Sequence, residues 1–162
     1  MRVIHIVEAT IAGVRTHVQA LATGLKQRGF ESVVACPPRR QQAYGDEQFV
    51  ARLAEAGIPV LPVAMQRSIS LPADAAALRQ LVAILRRERF DVVHLHSSKA
   101  GFLGRLAARA AGTNAAVFYT PNGLSFLGRQ HPARRQIFLA LERLAGPLCD
   151  RFIAVSASER DT

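Results

Sequence analysis

The chain has 162 residues, 49% of them hydrophobic and 20% charged, a length and apolar fraction that suit one compact domain. This excludes disorder and two full-sized domains, and no apolar stretch approaches the roughly 20 residues that a membrane span requires. Basic residues number 21 against 12 acidic ones, for a net charge of +9.

Lys26 and Lys99 are the only lysines, so nearly all of the positive charge is arginine. Guanidinium groups favour bidentate contact with phosphate, which makes polyanions, phosphorylated ligands and anionic lipid surfaces compatible partners. Arginine on solvated helix faces gives the same balance, so charge does not choose a function. The opening Met1-Arg2-Val3-Ile4-His5-Ile6-Val7-Glu8 lacks the long apolar core and cleavage site of a leader. Cys36 and Cys149 stand far apart in no metal-type spacing, which points to the reducing cytoplasm.

In chain order, Val3 to Val7 reads as a strand, followed by Val14, Val18, Leu21, Ala22 and Leu25 at helical spacing. Arg28-Gly29-Phe30 ends that helix, and Ser32 to Cys36 is a second strand before Pro37-Pro38 and a loop rich in Arg and Gln. Asp46 to Ala56 reads as a helix stopped by Gly57. Pro59 to Val63 is a short strand whose prolines place it at an edge. Leu78, Leu81, Val82 and Leu85 line one helix face, with Arg79, Gln80, Arg86 and Arg87 opposite. Asp91 to His96 is a strand, and Ser97-Ser98 opens a helix carrying Leu103, Leu106, Ala107 and Ala110. Ala115 to Thr120 is a strand that turns at Pro121-Asn122-Gly123. Ile137, Ala140, Leu141 and Leu144 mark a last long helix before a strand over Arg151 to Val155.

This alternation predicts a single α/β domain over 1–162: a Rossmann-like, doubly wound, mostly parallel sheet with helices on both faces. Ligands of such sheets bind beyond the carboxyl ends of the strands. The loops to inspect are therefore Glu8 to Gly13, His96 to Lys99, Thr120 to Gly123, and Ser156 onward.

Gly13 lets the backbone approach an anion at a helix N-terminus, or simply serves a strand–helix turn. It is neither the three-glycine dinucleotide fingerprint nor a phosphate loop. Alternation puts His94 and His96 on one face, with His96 nearest the cleft. His94 reads as a core histidine and His96 as a ligand-contacting one. Ser97 or Ser98 is expected to cap the next helix through its hydroxyl, and with Lys99 they form a donor-rich rim for phosphate or sugar hydroxyls. Two histidines without a third ligand do not predict a metal. Asn122-Gly123 suits a turn with positive φ. Ser156 followed by Glu159 is a capping-box arrangement. The chain ends at Thr162 before that helix completes two turns, which reads as a cut.

Four segments, in order, resemble the N-terminal half of a family-4 glycosyltransferase of the GT-B architecture. They are Ala12-Gly13-Val14-Arg15-Thr16-His17-Val18, Asp91 to Gly101, Tyr119-Thr120-Pro121-Asn122-Gly123, and Phe152 to Arg160. The resemblance implies two Rossmann-like domains facing a cleft, the acceptor bound mainly by this one. The nucleotide-sugar co-substrate is held mainly by a C-terminal domain that this chain lacks. It further implies transfer with retention and without metal or other cofactor, and a chain inactive alone. The implied cleft residues are Gly13, Arg15, His96, Ser97, Ser98, Lys99, Asn122, Gly123 and Ser156. Two positions depart from the family pattern: Ala12 replaces the first of two glycines, and Asn122 replaces a histidine. The methyl of Ala12 crowds a diphosphate approaching the backbone, and Asn122 cannot gain charge as histidine does.

The family's acceptors include saccharides and lipid-linked saccharides used in cell-surface polymer synthesis at the cytoplasmic face of the membrane. A basic patch with Arg129, Arg134, Arg135 and Arg143 around Phe126, Leu127, Ile137, Phe138 and Leu141 suits peripheral membrane contact. An amphipathic helix packed on the sheet has the same pattern. The alternative function is a non-enzymatic basic module that binds polyanions or nucleic acid. Aromatic residues at 6% and the absence of a nucleic-acid motif speak against it. An NAD-dependent enzyme lacks its glycine fingerprint and has Cys36-Pro37 where an acidic residue belongs.

Overall fold

The computed structural model describes residues 1–38, 46–123 and 132–160, except for the side chains of 46, 47, 132–135, 137, 138 and 158. The elements are β1 (Arg2–Val7), α1 (Ala12–Gln27), β2 (Glu31–Cys36), α2 (Asp46–Glu55), β3 (Val60–Pro62), α3 (Leu71–Arg87), β4 (Val92–His96), α4 (Ser98–Ala111), β5 (Ala116–Thr120), α5 (Pro132–Ala145), β6 (Arg151–Phe152) and α6 (Ala157–Arg160). The sheet runs β3-β2-β1-β4-β5-β6, and every neighbouring pair is parallel. This is the Rossmann-like fold the alternation predicts, with the proline-bearing β3 at an edge.

The central strands are buried on both faces because helices cover both. Ile4, Ile6, Val93, Leu95, Val117 and Tyr119 pack with Leu81, Leu85, Leu103 and Ala107 of α3 and α4. On the opposite face, Val7, Val34 and Cys36 pack with Val18 and Ala22 of α1 and with Phe49 and Leu53 of α2. Alpha-4 lies close on the sheet, since a Cβ at Gly101 would strike the Tyr119 ring and one at Gly104 would strike Leu95. Both cysteines are free thiols.

The last strand is shorter than the five residues expected. Beta-5 ends at Thr120 before Pro121, so it offers β6 little ladder to extend. Ile153 still donates to the Tyr119 carbonyl at 2.8 Å. The Val155 N–H then turns to the Glu159 carboxylate at 2.8 Å.

A buried charge network that the sequence does not announce holds α5 against α4. Arg105 is 2% exposed, and its Nη2 donates to Glu142 Oε2 at 2.7 Å while its Nε donates to the Gly101 carbonyl at 2.8 Å. Its guanidinium also stacks 4.4 Å from the centre of the Tyr119 ring. The Tyr119 hydroxyl donates to the other Glu142 oxygen at 2.8 Å. Burial first, then the Glu142 carboxylate, raises the Tyr119 phenol far above its ordinary value.

Candidate functional site

In this strand order the direction of winding reverses between β1 and β4, and the crevice opens where the loops after those two strands diverge. Three loops border it: the one after β1, the one after β4, and the turn after β5. Each contains a non-glycine residue in the left-handed region: Ala12 at φ 50°, Ser97 at φ 71° and Asn122 at φ 54°. Such backbone is uncommon for residues with a Cβ and gathers at functional sites. Ala12 stands where the family pattern has glycine, which explains that preference in backbone terms.

Gly13 is exposed, and a Cβ there would meet nothing within 4 Å. Packing within this domain therefore does not demand glycine; its bare backbone faces open space at the first turn of α1. Arg15, half-buried on the same turn, makes no ion pair among the described residues. Asn122 and Gly123, with φ 54° and 99°, form the expected turn. The Asn122 amide donates to the Thr120 carbonyl at 3.2 Å.

Other expected residues are placed differently. Lys99 is not an open phosphate-binding rim: its Nζ is 2.6 Å from Asp74 Oδ1 and also donates to the Ser68 carbonyl. It ties α4 to α3, with a side chain 14% exposed. Ser97 is the N-cap residue of α4 but makes no side-chain cap bond. Its φ of 71° turns the hydroxyl inward, where the Oγ is buried without a hydrogen-bond partner among the described residues. Ser98 interacts with the buried Tyr119 hydroxyl. Ser156 is a helix cap: its Oγ accepts the Glu159 N–H at 3.1 Å.

His96 ends β4 as expected, but its side chain is 0% exposed, so it is part of the crevice floor rather than its surface. Register explains why. His5 pairs with His94, and Val7 with His96, so His5 shares their face. The His5 Nδ1 lies 3.2 Å from His96 Nε2, and the His94 and His96 rings are 4.2 Å apart. The His94 Nε2 pairs with Thr120 Oγ1 at 2.8 Å, the satisfied core role expected of it. His17 of α1 covers the group, its ring 5.7 Å from that of His96.

Four of the chain's five histidines thus meet in one cluster. Burial, then His94 and His17, pushes His5 down to about 3. Burial, then His17, pushes His94 down to about 4. Burial, then its histidine neighbours, holds His96 well below its ordinary value. His17 is also lowered by burial, against the opposing pull of Glu159. All four imidazoles are therefore neutral near pH 7. The alternation of β1 could have revealed His5, but His17 becomes visible only when α1 is docked.

The basic patch proposed for membrane contact lies largely outside the described residues: this holds for 124–131, including Phe126, Leu127 and Arg129, and for the side chains of Arg134, Arg135, Ile137 and Phe138. The same is true of the Arg- and Gln-rich loop over 39–45. Among the described residues no helix is long and apolar enough to cross a membrane. A hollow lined by Arg109, Thr113, Asn114 and Asp150 lies at the opposite end of the sheet, by the start of β5.

An all-parallel sheet of this order, with its crevice at the β1–β4 switch point, defines a Rossmann-like domain. The chain belongs to glycosyltransferase family 4: residues 11–162 match the family described as Glycosyltransferase Family 4, with the fold of a GT-B N-terminal domain. It is 36% identical over 95 residues to the UDP-Gal:alpha-D-GlcNAc-diphosphoundecaprenol alpha-1,3-galactosyltransferase of Escherichia coli, covering 59% of this chain and 24% of that protein. The fold is similar to that of Anabaena HepE, solved with UDP and glucose, at a TM-score of 0.69 and 17% identity over 99% of this chain and 40% of that one. The lipopolysaccharide outer core galactosyltransferase WaaB also gives a TM-score of 0.69, at 15% identity over 99% of this chain and 41% of that one. The chain thus spans between about a quarter and two fifths of the length of these proteins.

Proposed function

We propose that this chain is the acceptor-binding half of a retaining, metal-independent glycosyltransferase. The enzyme moves a sugar from a nucleotide-sugar to a saccharide or lipid-linked acceptor in cell-surface polysaccharide or glycolipid synthesis. The donor is held mainly by a second domain outside this chain, so this chain alone does not turn over. The observation that carries the reading is that three left-handed residues, Ala12, Ser97 and Asn122, stand after the three strands whose carboxyl ends border the switch-point crevice. The undecaprenol-linked acceptor named for the Escherichia coli relative gives the acceptor class.

In this reading the exposed first turn of α1, with Gly13 and Arg15, faces a diphosphate. Free backbone N–H groups and the positive end of the helix stabilise that charge without an ion. The Asn122 amide positions an acceptor hydroxyl beside the turn. During transfer the bond from the sugar's anomeric carbon to the nucleotide diphosphate breaks, and a bond to the acceptor oxygen forms. The diphosphate leaves with the electron pair, and its departing oxygen takes up the proton that the acceptor hydroxyl loses. His96 and its partners form the floor that fixes the loops after β1 and β4. The enzyme works in the cytoplasm, peripherally at the membrane that holds its acceptor.

The test is a titration of the 162-residue chain, followed through the backbone amides of Gly13, Asn122 and Gly123. A short-chain prenyl-diphosphate-linked N-acetylglucosamine should shift these signals saturably, whereas UDP-galactose should leave them in place. Tighter binding of the nucleotide-sugar overturns the assignment to the acceptor side. Equal binding of arbitrary duplex DNA with a steep salt slope would favour the polyanion-binding module instead.

A further inference from the structure

We propose that His5, His94 and His96 form a buried site for one divalent transition-metal ion of the zinc class, bridging the two central strands beneath the crevice. One ring nitrogen from each lies within 4.8 Å of those of the other two. A tetrahedral zinc with bonds of about 2.0–2.1 Å needs ligand nitrogens about 3.4 Å apart. The 3.2 Å between His5 Nδ1 and His96 Nε2 already meets this. One ring nitrogen of His94 completes the set of three.

The donor set is chemically suited to such an ion. Metals take neutral imidazole, and imidazole favours zinc, copper, nickel and iron over magnesium or calcium. The tautomer in which His94 donates its Nε2–H to Thr120 Oγ1 leaves the Nδ1 lone pair for a metal. This is the oxygen-partnered arrangement usual for ligating histidines. The His5 Nε2 and His96 Nδ1 are buried without partners among the described residues. Binding moves the proton now shared between His5 and His96 onto one of these outer nitrogens, so the imidazoles remain neutral and no redox step is involved.

His17 separates the triad from the crevice and is half-buried, with its own Nε2 unpartnered among the described residues. It is the side chain past which an ion enters. Glu8 and Glu159, 5% and 7% exposed, place negative charge at this end of the sheet. Three imidazoles leave the fourth position of a tetrahedral ion to a water; the ion lies under the crevice, so its loss lowers stability and removes no group from the reaction. The proposal rests on the triad alone and is independent of the acceptor reading.

The experiment uses the whole 162-residue chain, stripped with a chelator and titrated with zinc chloride. Imidazole nitrogen resonances and the melting temperature are followed together. One zinc per chain should bind, the ring-nitrogen signals of His5, His94 and His96 should move together, and the melting temperature should rise with zinc concentration. His5→Asn and His96→Asn should each weaken binding at least about 100-fold, beyond the loss seen for residues that only orient a ligand. Circular dichroism reports whether these variants fold, and the wild-type imidazole signals decide the matter if they do not. Absence of stoichiometric binding overturns the proposal, as does binding that leaves the three histidine signals unmoved.

Discussion

Gly123 donates its backbone N–H to Oε1 of Glu159 at 2.7 Å, while Oε2 of the same carboxylate accepts the Val155 N–H at 2.8 Å. One buried side chain thus joins the turn after β5 to the start of α6. Both bonds are part-buried and charge-assisted, and bonds of this kind contribute about 1.5–3 kcal/mol each. Glu159→Ala should therefore lower unfolding stability by about 2–4 kcal/mol in urea titrations. Glu159→Gln should recover only part of the loss, because its amide presents one acceptor to two donors. Equal stability of all three proteins would mean that the carboxylate does not hold the turn.

Glu142 is the only carboxylate paired with the buried Arg105 among the described residues. Removing one partner of such a pair leaves an uncompensated charge and costs about 3–5 kcal/mol. Glu142→Ala should be destabilising by that amount. The double change Arg105→Met with Glu142→Leu should recover much of it, since no charge is then stranded. Urea midpoints for the single and double variants measure the difference.

Ala12 at φ 50° carries a left-handed penalty of roughly 1–2 kcal/mol that glycine avoids. Glycine returns roughly 0.5–1 kcal/mol of this through the greater freedom of the unfolded chain. Ala12→Gly should therefore stabilise the domain by about 0.5–1 kcal/mol, and it should tighten binding of a diphosphate by removing the methyl. A melting temperature that falls would show that the backbone at Ala12 is relaxed.

Without metal, the histidine cluster predicts acid sensitivity with a definite sign. His5 titrates at about 3 and His94 at about 4 in the fold, and His96 also lies well below its ordinary value; unfolded, all three titrate near 6.5. As pH falls below 6.5 the unfolded chain takes up protons that the folded chain refuses. Stability should be flat above that pH and then fall by up to roughly 1.4 kcal/mol per pH unit for each histidine. The groups facing the cluster are Thr120 from β5 and His17 from α1, with Glu159 of α6 acting on His17. Urea midpoints of chelator-treated protein from pH 8 to pH 4.5 test this. A flat profile would mean that the cluster protonates within the fold.

Much of the site was legible before the fold was known. The Asn122-Gly123 turn and the Ser156 cap are local, fixed by backbone preferences over four residues; the Glu159 half of the capping box differs, its carboxylate accepting from Val155 and Gly123 instead of Ser156. The fate of Lys99 was not legible, because its partner Asp74 lies 25 positions away and becomes a neighbour only when α3 and α4 pack. His96 stands at the strand end that alternation predicts, but alternation along one strand cannot reveal that a second strand brings His5 beside it.

The sequence by itself determined the alternation of strands and helices, the parallel sheet and the loops that border its crevice. Those follow from local periodicity and turn chemistry, which act over a few residues. Tertiary structure alone decided which polar groups meet inside: His5, His94 and His96 with His17 above them, Arg105 with Glu142 and Tyr119, and Glu159 with Gly123. Strand register and helix docking set these encounters between residues far apart in the chain, and burial then determines their charge.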